Sequence, residues 1–460
     1  MSILPLPPPA RERPSAPAYG QRPRLGRPPS RNEILRAGRL GGHLAEDLAA
    51  RFGTPLYVYD LDVVSRQVAA LRAVLPPSFE LAYAVKANPA LGIVAHLASL
   101  GLGADVASGG ELATALRAGV PGEAIVVTGP GKRDDELRAA VAAGVRAVTV
   151  ESPGELGRLE AIATAAGRRV PVLLRAAVAP DVRLERVRLV GDDGAGKFGM
   201  GADDLLEAAR FAVRSPHLEP IGLHAFGASN VLDAGALAEH VATTMRAARA
   251  LALDAGFPLR LVDAGGGLGI AYEAHEESLD LRTYGQRLAE LMAAWSADPV
   301  TRDARLLLEP GRYLVGPAGA YLARVVDRKL VDGRVVVILD GGIHHVLRPA
   351  LVGQEHRVRR LSGAGEGVGR FVPVTVAGPL CSGLDVLATE AMLTVPEPGD
   401  LIAVLDVGAY GFTEAMPFFL SHPVPAEVAV RGGVSALLRP RLEPETWLDW
   451  QSMPAWEAPR

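Results

Sequence analysis

Short apolar runs rich in β-branched residues recur through the middle of the chain, and each gives way to a stretch rich in Ala, Leu and Glu. The runs are LAYAVKA (81–87), ADVAS (104–108), AIVVTG (124–129), RAVTV (146–150), VPVLLRA (170–176), PIGLHAF (220–226), LRLVDAG (259–265) and RLLLEPG (305–311). An apolar run without alternation is a strand covered on both faces, and such strands separated by helices form a parallel sheet. Eight repeats of the unit predict an α/β fold with a (β/α)8 barrel. A polar residue stands at the C-terminal end of each run: Lys86, Asp105, Thr128, Glu151, Arg175, His224, Asp263 and Glu309. Any one of these could be a surface group, but barrels of this kind assemble their active sites at those ends.

After Gly311 the helical stretches disappear. YLARVVDRKL and RVVVILDGG flank Val331-Asp332-Gly333, an Asp-Gly hairpin signal. FVPVTVAGPLC, DLIAVLDVGAY and PAEVAVRGG follow with turn residues between them. The pattern predicts a barrel over 45–311 and an antiparallel β domain over 312–440, which residues 30–44 can join. Residues 1–30 read as a disordered Pro- and Arg-rich arm, and 441–460 as a tail whose tryptophans cap a surface.

Composition narrows the function. With 460 residues, 49% of them hydrophobic, the chain can bury a large core. A net charge of -4 gives no footprint for nucleic acid or membrane, and no run is long enough to span a bilayer. The single cysteine, Cys381, excludes a disulfide framework and fits a reducing, cytoplasmic setting. Only four lysines are present, Lys86, Lys132, Lys197 and Lys329. Arginine serves wherever a cation suffices, so Lys86 inside an apolar run reads either as an amine kept for nucleophilic chemistry or as a strand-end lysine snorkelling outward. Burial would lower its pKa and favour the first reading.

The ordered motifs YAVKAN (83–88), DVASGGEL (105–112), KFGM (197–200), GLH (222–224), DAGGGLG (263–269), EPGR (309–312), GPLCSGLD (378–385), GAYG (408–411) and PAEV (425–428) give the chain its resemblance. It is similar to the barrel-type, alanine-racemase-fold pyridoxal-phosphate decarboxylases, the family of diaminopimelate and ornithine decarboxylases, from about residue 45 to 432. The resemblance implies α-decarboxylation of an amino acid with pyridoxal 5′-phosphate as cofactor. Lys86 would hold the cofactor covalently, and Glu309 would face its ring nitrogen in preference to pairing with nearby Arg312. Gly265, Gly266 and Gly267 lack side chains and can bring backbone N–H groups to a phosphate, although by themselves they could be an ordinary tight turn. By resemblance the phosphate also meets Ser229, the Gly311-Arg312 backbone and Tyr410. Asp105 and Arg175 would form a pair beside the cofactor, the arginine holding the carboxylate.

Cys381, which alone would read as an inert residue, matches the family cysteine that protonates the substrate carbon after carbon dioxide leaves and that comes from the partner subunit. A homodimer with shared active sites is therefore implied. Where the family stacks a second histidine on the cofactor ring, this chain has Phe226, taken as packing. His224 is left without a catalytic role, and Lys197 is taken as structural.

The substrate end departs from the relatives. Arg312, Arg348, Ser382, Asp385 and Tyr410 are the expected substrate-binding residues. Diaminopimelate decarboxylases carry Glu, and ornithine decarboxylases Asp, where this chain has Ser382, so the partner of a distal ammonium is missing. Arg348 matches the arginine that grips a distal carboxylate, but Val352 replaces the tyrosine near it. A substrate with an anionic or neutral far end is expected, such as a glutamyl or other acyl unit on a carrier protein. The alternatives are an ordinary diaminopimelate decarboxylase in which Asp385 alone meets the ammonium, an amino-acid racemase, or a non-catalytic cofactor-binding regulator.

Overall fold

A computed structural model describes residues 34–177, 196–227, 229–273, 275–361 and 370–454. The arm over 1–30 lies outside them. Eight parallel strands close into a barrel in chain order: Phe79–Ala84, Gly103–Val106, Ile125–Val127, Ala147–Val150, Val170–Arg175, Leu218–His224, Leu261–Asp263 and Arg305–Leu308. These are the eight strands expected from the apolar runs. Ala82, Val126, Ala147, Leu173, Ile221, Leu261 and Leu307 pack together as a separate buried cluster, one side chain from each of seven strands, and fill the barrel.

Strand side chains alternate with a period of two. Two positions beyond Val126, Leu173, Leu261 and Leu307 stand Thr128, Arg175, Asp263 and Glu309, so each shares the inward parity of an interior residue. The register places Arg175 beside His224 and His224 beside Asp263; parity sets four of the mouth's residues, whereas His224 follows a register shift at Pro220 to Gly222. Helix starts hold the connections in place. Ser108 and Ser152 accept hydrogen bonds from Glu111 N and Glu155 N at 3.2 and 3.1 Å, so the serine of the DVASGGEL motif is a helix cap.

The β domain corrects two expectations. Its sheet runs Val386–Thr394, Phe371–Ala377, Arg334–Leu339, Gly319–Val331, Leu56–Asp60, Ala426–Arg431 and Val434–Arg439. Leu56–Asp60 therefore belongs to this sheet, and the barrel does not begin at residue 45. Ile34, Leu35, Leu40 and Leu48 also pack with Leu56, Val58, Ala320 and Leu322 rather than with the barrel core. The sheet is mixed as well, because Arg334–Leu339 pairs in parallel with Phe371–Ala377, and Ala426–Arg431 with Leu56–Asp60. The Asp-Gly hairpin forms as read: Asp332 and Gly333 adopt φ of 50° and 78°, and Val331 pairs Arg334. In the tail, Trp447 stacks on Phe418 with ring centroids 4.5 Å apart. No described helix is long and apolar enough to cross a membrane.

Candidate active site at the barrel mouth

The polar strand ends meet as neighbours around the ring. Lys86, just past the first strand, lies 3.1 Å from Asp105 Oδ2 on the second, and Thr128, just past the third, donates to Asp105 Oδ1 at 2.6 Å. Arg175 on the fifth strand pairs with Glu151 beyond the fourth at 2.6 Å. His224 Nε2 lies 3.5 Å from Glu309 Oε2, and Asp263 completes a buried trio with them. Arg175 thus does not hold Asp105 as expected; the two sit on strands three apart, and Glu151 is the carboxylate within reach.

The electrostatics of Lys86 also differ from expectation. Burial alone would lower its pKa, but the Asp105 and Glu309 carboxylates outweigh it and push the amine above its usual range. The ammonium neutralises a mouth that would otherwise hold unpaired carboxylates. Its side chain is 39% exposed, so the amine opens into the mouth. Burial would raise the Glu309 pKa, yet His224, Lys86 and Asp263 bring it down to about 2. Burial and the Glu309 charge push Asp263 the other way, well above the carboxylate range. Glu309 is therefore the ionised member of the trio. Its Oε1 has no hydrogen-bond partner although it is buried, and Arg312 is committed elsewhere, donating to Tyr272 Oη at 2.9 Å. His224, given no role from sequence, is one of the three groups, with Lys86 and Asp263, that bring the Glu309 pKa down. Its place beside Asp263 in the strand register is the signal that would have found it.

Next to this pair the backbone is bare. Gly265 and Gly267 have φ of 65° and 99°. A Cβ on Gly265 would come within 2.7 Å of Phe226, one on Gly266 within 2.5 Å of the Glu309 carbonyl, and one on Gly311 within 2.8 Å of Ala87. Ser229 is buried nearby in sequence to Phe226, whose ring lies 5.4 Å from Lys86 Nζ. The Phe226 face thus borders the amine and does more than fill the core. Lys197 lies 5.1 Å over Phe198, which also carries the Arg175 guanidinium at 4.7 Å. A primary amine, an ionised carboxylate with a free oxygen, and a glycine turn with no room for side chains fit the amine-reactive aldehyde, ring nitrogen and phosphate of pyridoxal phosphate.

Tyr410 marks the outer side of the site. Its φ of 54° is unusual for a residue with a side chain, and its N–H donates to Ala87 O at 2.7 Å. Its ring carries two guanidinium groups, Arg312 at 4.6 Å and Arg348 at 4.4 Å. Arg348 pairs with Glu414, a residue that sequence reading did not single out.

The GPLCSGLD loop corrects the remaining expectation. Asp385 Oδ1 accepts from Ile343 N at 2.7 Å and Oδ2 from Leu380 N at 2.8 Å. A Cβ on Gly342 or Gly378 would meet this carboxylate at 2.1 or 2.3 Å, so the chain wraps closely around it. Asp385 is a backbone clamp and is not open to a substrate ammonium. Asp385→Ala should leave both N–H groups buried and unsatisfied and cost about 3 kcal/mol of stability, measurable from urea unfolding midpoints. Cys381 and Leu384 of the same loop are exposed.

Residues 61–316 match the family described as pyridoxal-dependent decarboxylase, pyridoxal binding domain. The chain is 33% identical over 402 residues to the L-glutamyl-[BtrI acyl-carrier protein] decarboxylase of Niallia circulans, covering 85% of this chain and 92% of that protein. It is 36% identical over 421 residues to a diaminopimelate decarboxylase of Actinosynnema pretiosum, covering 90% and 91%. The crystal structure of diaminopimelate decarboxylase from Helicobacter pylori complexed with L-lysine superposes with a TM-score of 0.79 at 30% identity, over 88% of this chain and 98% of that one. The chain belongs to the pyridoxal-dependent decarboxylases. It is a pyridoxal-phosphate-dependent enzyme that decarboxylates an amino acid.

Proposed function

We propose that this decarboxylase acts on an amino acid lacking a free distal ammonium, a side-chain-linked glutamyl or similar acyl unit on a carrier protein being the candidate, in sites shared between two subunits. The observation carrying the substrate reading is that, of the candidate carboxylates Asp385 and Glu414 among the described residues, neither is left for an ammonium. Both Asp385 oxygens face backbone N–H groups, Glu414 is committed to Arg348, and Ser382 is neutral. The kinship with a carrier-linked glutamyl decarboxylase supports the same reading.

Pyridoxal phosphate, when bound, supplies an electron sink for the pair left on the α-carbon after carbon dioxide departs. Lys86 would anchor it covalently and yield to the substrate amine. Glu309, kept ionised by His224, Lys86 and Asp263, would hold a proton on the ring nitrogen. Backbone N–H groups of Gly265, Gly266, Gly267 and Gly311, with Ser229 and Tyr410, would bind the phosphate. Asp105 would position the Lys86 amine, and the Arg175–Glu151 pair would fix the far wall of the mouth. Phe226 would cover the ring face and exclude water. The exposed thiol of Cys381 would deliver a proton to the α-carbon in the partner's site.

Two measurements test this reading. Carbon dioxide release over free amino acids and carrier-linked aminoacyl groups should be highest on a substrate with no distal ammonium. For the shared site, mixing Lys86→Ala and Cys381→Ala chains should restore roughly a quarter of wild-type activity, since half of the dimers are hybrids and one site in each regains both residues. Verified hybrids with no activity would place Cys381 outside the partner's chemistry.

A further inference from the structure

We infer that Glu414 selects the substrate by neutralising Arg348 from inside the protein, so that the outer end of the pocket takes a neutral ester, thioester or amide in place of a free carboxylate. This deepens, and rests on, the reading that the substrate carries no distal ammonium.

Arg348 is the group most suited to gripping a carboxylate, because its guanidinium is buried and fixed. Its side chain is 2% exposed, against 27% for Glu414. Nε lies 2.8 Å from Glu414 Oε2, and Nη2 donates to Oε1 at 3.0 Å. The remaining terminal nitrogen, Nη1, donates to Gln354 Oε1 at 3.2 Å. Both terminal nitrogens therefore donate a hydrogen bond within the protein, and Nε is in ion-pair contact with Glu414, before substrate arrives. An incoming carboxylate would have to displace Glu414 and then lie beside its displaced charge, which opposes binding twice. An ammonium fares no better, since the Glu414 charge is already balanced in a two-point pair.

The second arginine does not alter this balance. Arg312 also lies against the Tyr410 ring and its Nη1 donates to Gln354 Oε1 at 3.4 Å, but it follows Gly311 directly, at the end proposed for the phosphate, where its Nη2, buried without a hydrogen-bond partner, has an anion to meet. With Arg312 assigned to the phosphate, what remains is the Arg348–Glu414 ion pair and Gln354, which together carry no net charge.

Substrate chemistry leads to the same place. An α-carboxylate must be free to leave as carbon dioxide. A glutamyl group held by a carrier during decarboxylation is therefore joined through its side-chain carboxyl, and the linkage removes that carboxyl's charge. Glu414 then occupies the place that the substrate's own distal carboxylate would have filled.

The test compares glutamate with its side-chain pantetheine thioester as substrates, and glutarate with glutaramate as non-reacting ligands measured by calorimetry. Wild-type enzyme should prefer the thioester and bind glutaramate more tightly than glutarate. Glu414→Gln frees Arg348, and the preference should swing toward glutamate and glutarate by about tenfold or more. Arg348→Gln/Glu414→Gln leaves no buried unpaired charge, so it stays informative where the single variant fails to fold, and its preference should remain that of the wild type. A folded Glu414→Gln protein with unchanged preference, or a double variant that gains glutarate binding, would overturn the role of Glu414 while leaving the substrate reading intact. Wild-type enzyme that turns over diaminopimelate efficiently and ignores the thioester would overturn the substrate reading itself.

Discussion

Lys86→Ala protein is expected to lose the absorbance band of covalently held cofactor and at least about a thousandfold in decarboxylation rate. The size of the effect follows from position. Lys86 is the only one of the four lysines whose amine stands at the barrel mouth beside Asp105, facing Glu309 and the Phe226 ring. Lys132 is buried in an ion pair with Glu155, and Lys329 lies in the hairpin of the β domain. Borohydride reduction of the loaded wild-type enzyme, followed by peptide mapping, should find the cofactor on Lys86. Label on Lys132, Lys197 or Lys329 would refute the assignment. Because Lys86 also balances Asp105 and Glu309, a Lys86→Arg control separates lost charge from lost chemistry. Arginine restores the cation but cannot give up its proton, so it should remain unlabelled and inactive.

Diaminopimelate, lysine and ornithine should be poor substrates, with kcat/KM at least about a hundredfold below that of the neutral-ended substrate. A buried ammonium without a partner costs several kcal/mol, ample for such discrimination. The alternative in which Asp385 meets the ammonium loses its basis, since that carboxylate binds Ile343 N and Leu380 N. Diaminopimelate also carries a distal carboxylate, and the arginine that would grip it is held by Glu414. Steady-state kinetics on purified enzyme decide the matter. A kcat/KM of about 10⁴ M⁻¹s⁻¹ or more on diaminopimelate would remove the selectivity reading and leave the decarboxylase assignment standing.

Much of this site was legible because its signals are local. Strand-end polar residues follow their apolar runs within two or three positions, and parity alone aims Thr128, Arg175, Asp263 and Glu309 inward. Pairings across the ring were less legible, although chain order carries part of the answer. In a barrel wound in sequence order, Asp105 has the Lys86 and Thr128 strands beside it, and Arg175 has the Glu151 strand. Arg175 and Asp105, three strands apart in that order, are out of each other's reach. Asp385 was misread for another reason: a carboxylate near a functional cysteine looks the same in sequence whether it faces substrate or backbone.

The sequence by itself determined the barrel, its strand order, the polar ring at its mouth and the family, because each depends on periodicity or motif order over short spans. Tertiary structure decided the rest. Leu56–Asp60 looks like one more doubly covered strand, and only pairing with Gly319–Leu322 and with Ala426–Val430 places it in the β domain. His224 acquires its part from Glu309, 85 positions later, and Glu414 from Arg348, 66 positions earlier. Such contacts join groups whose chain separation exceeds the reach of any local pattern. Their charges settle only when folding has removed water and fixed which neighbour remains within a few ångströms.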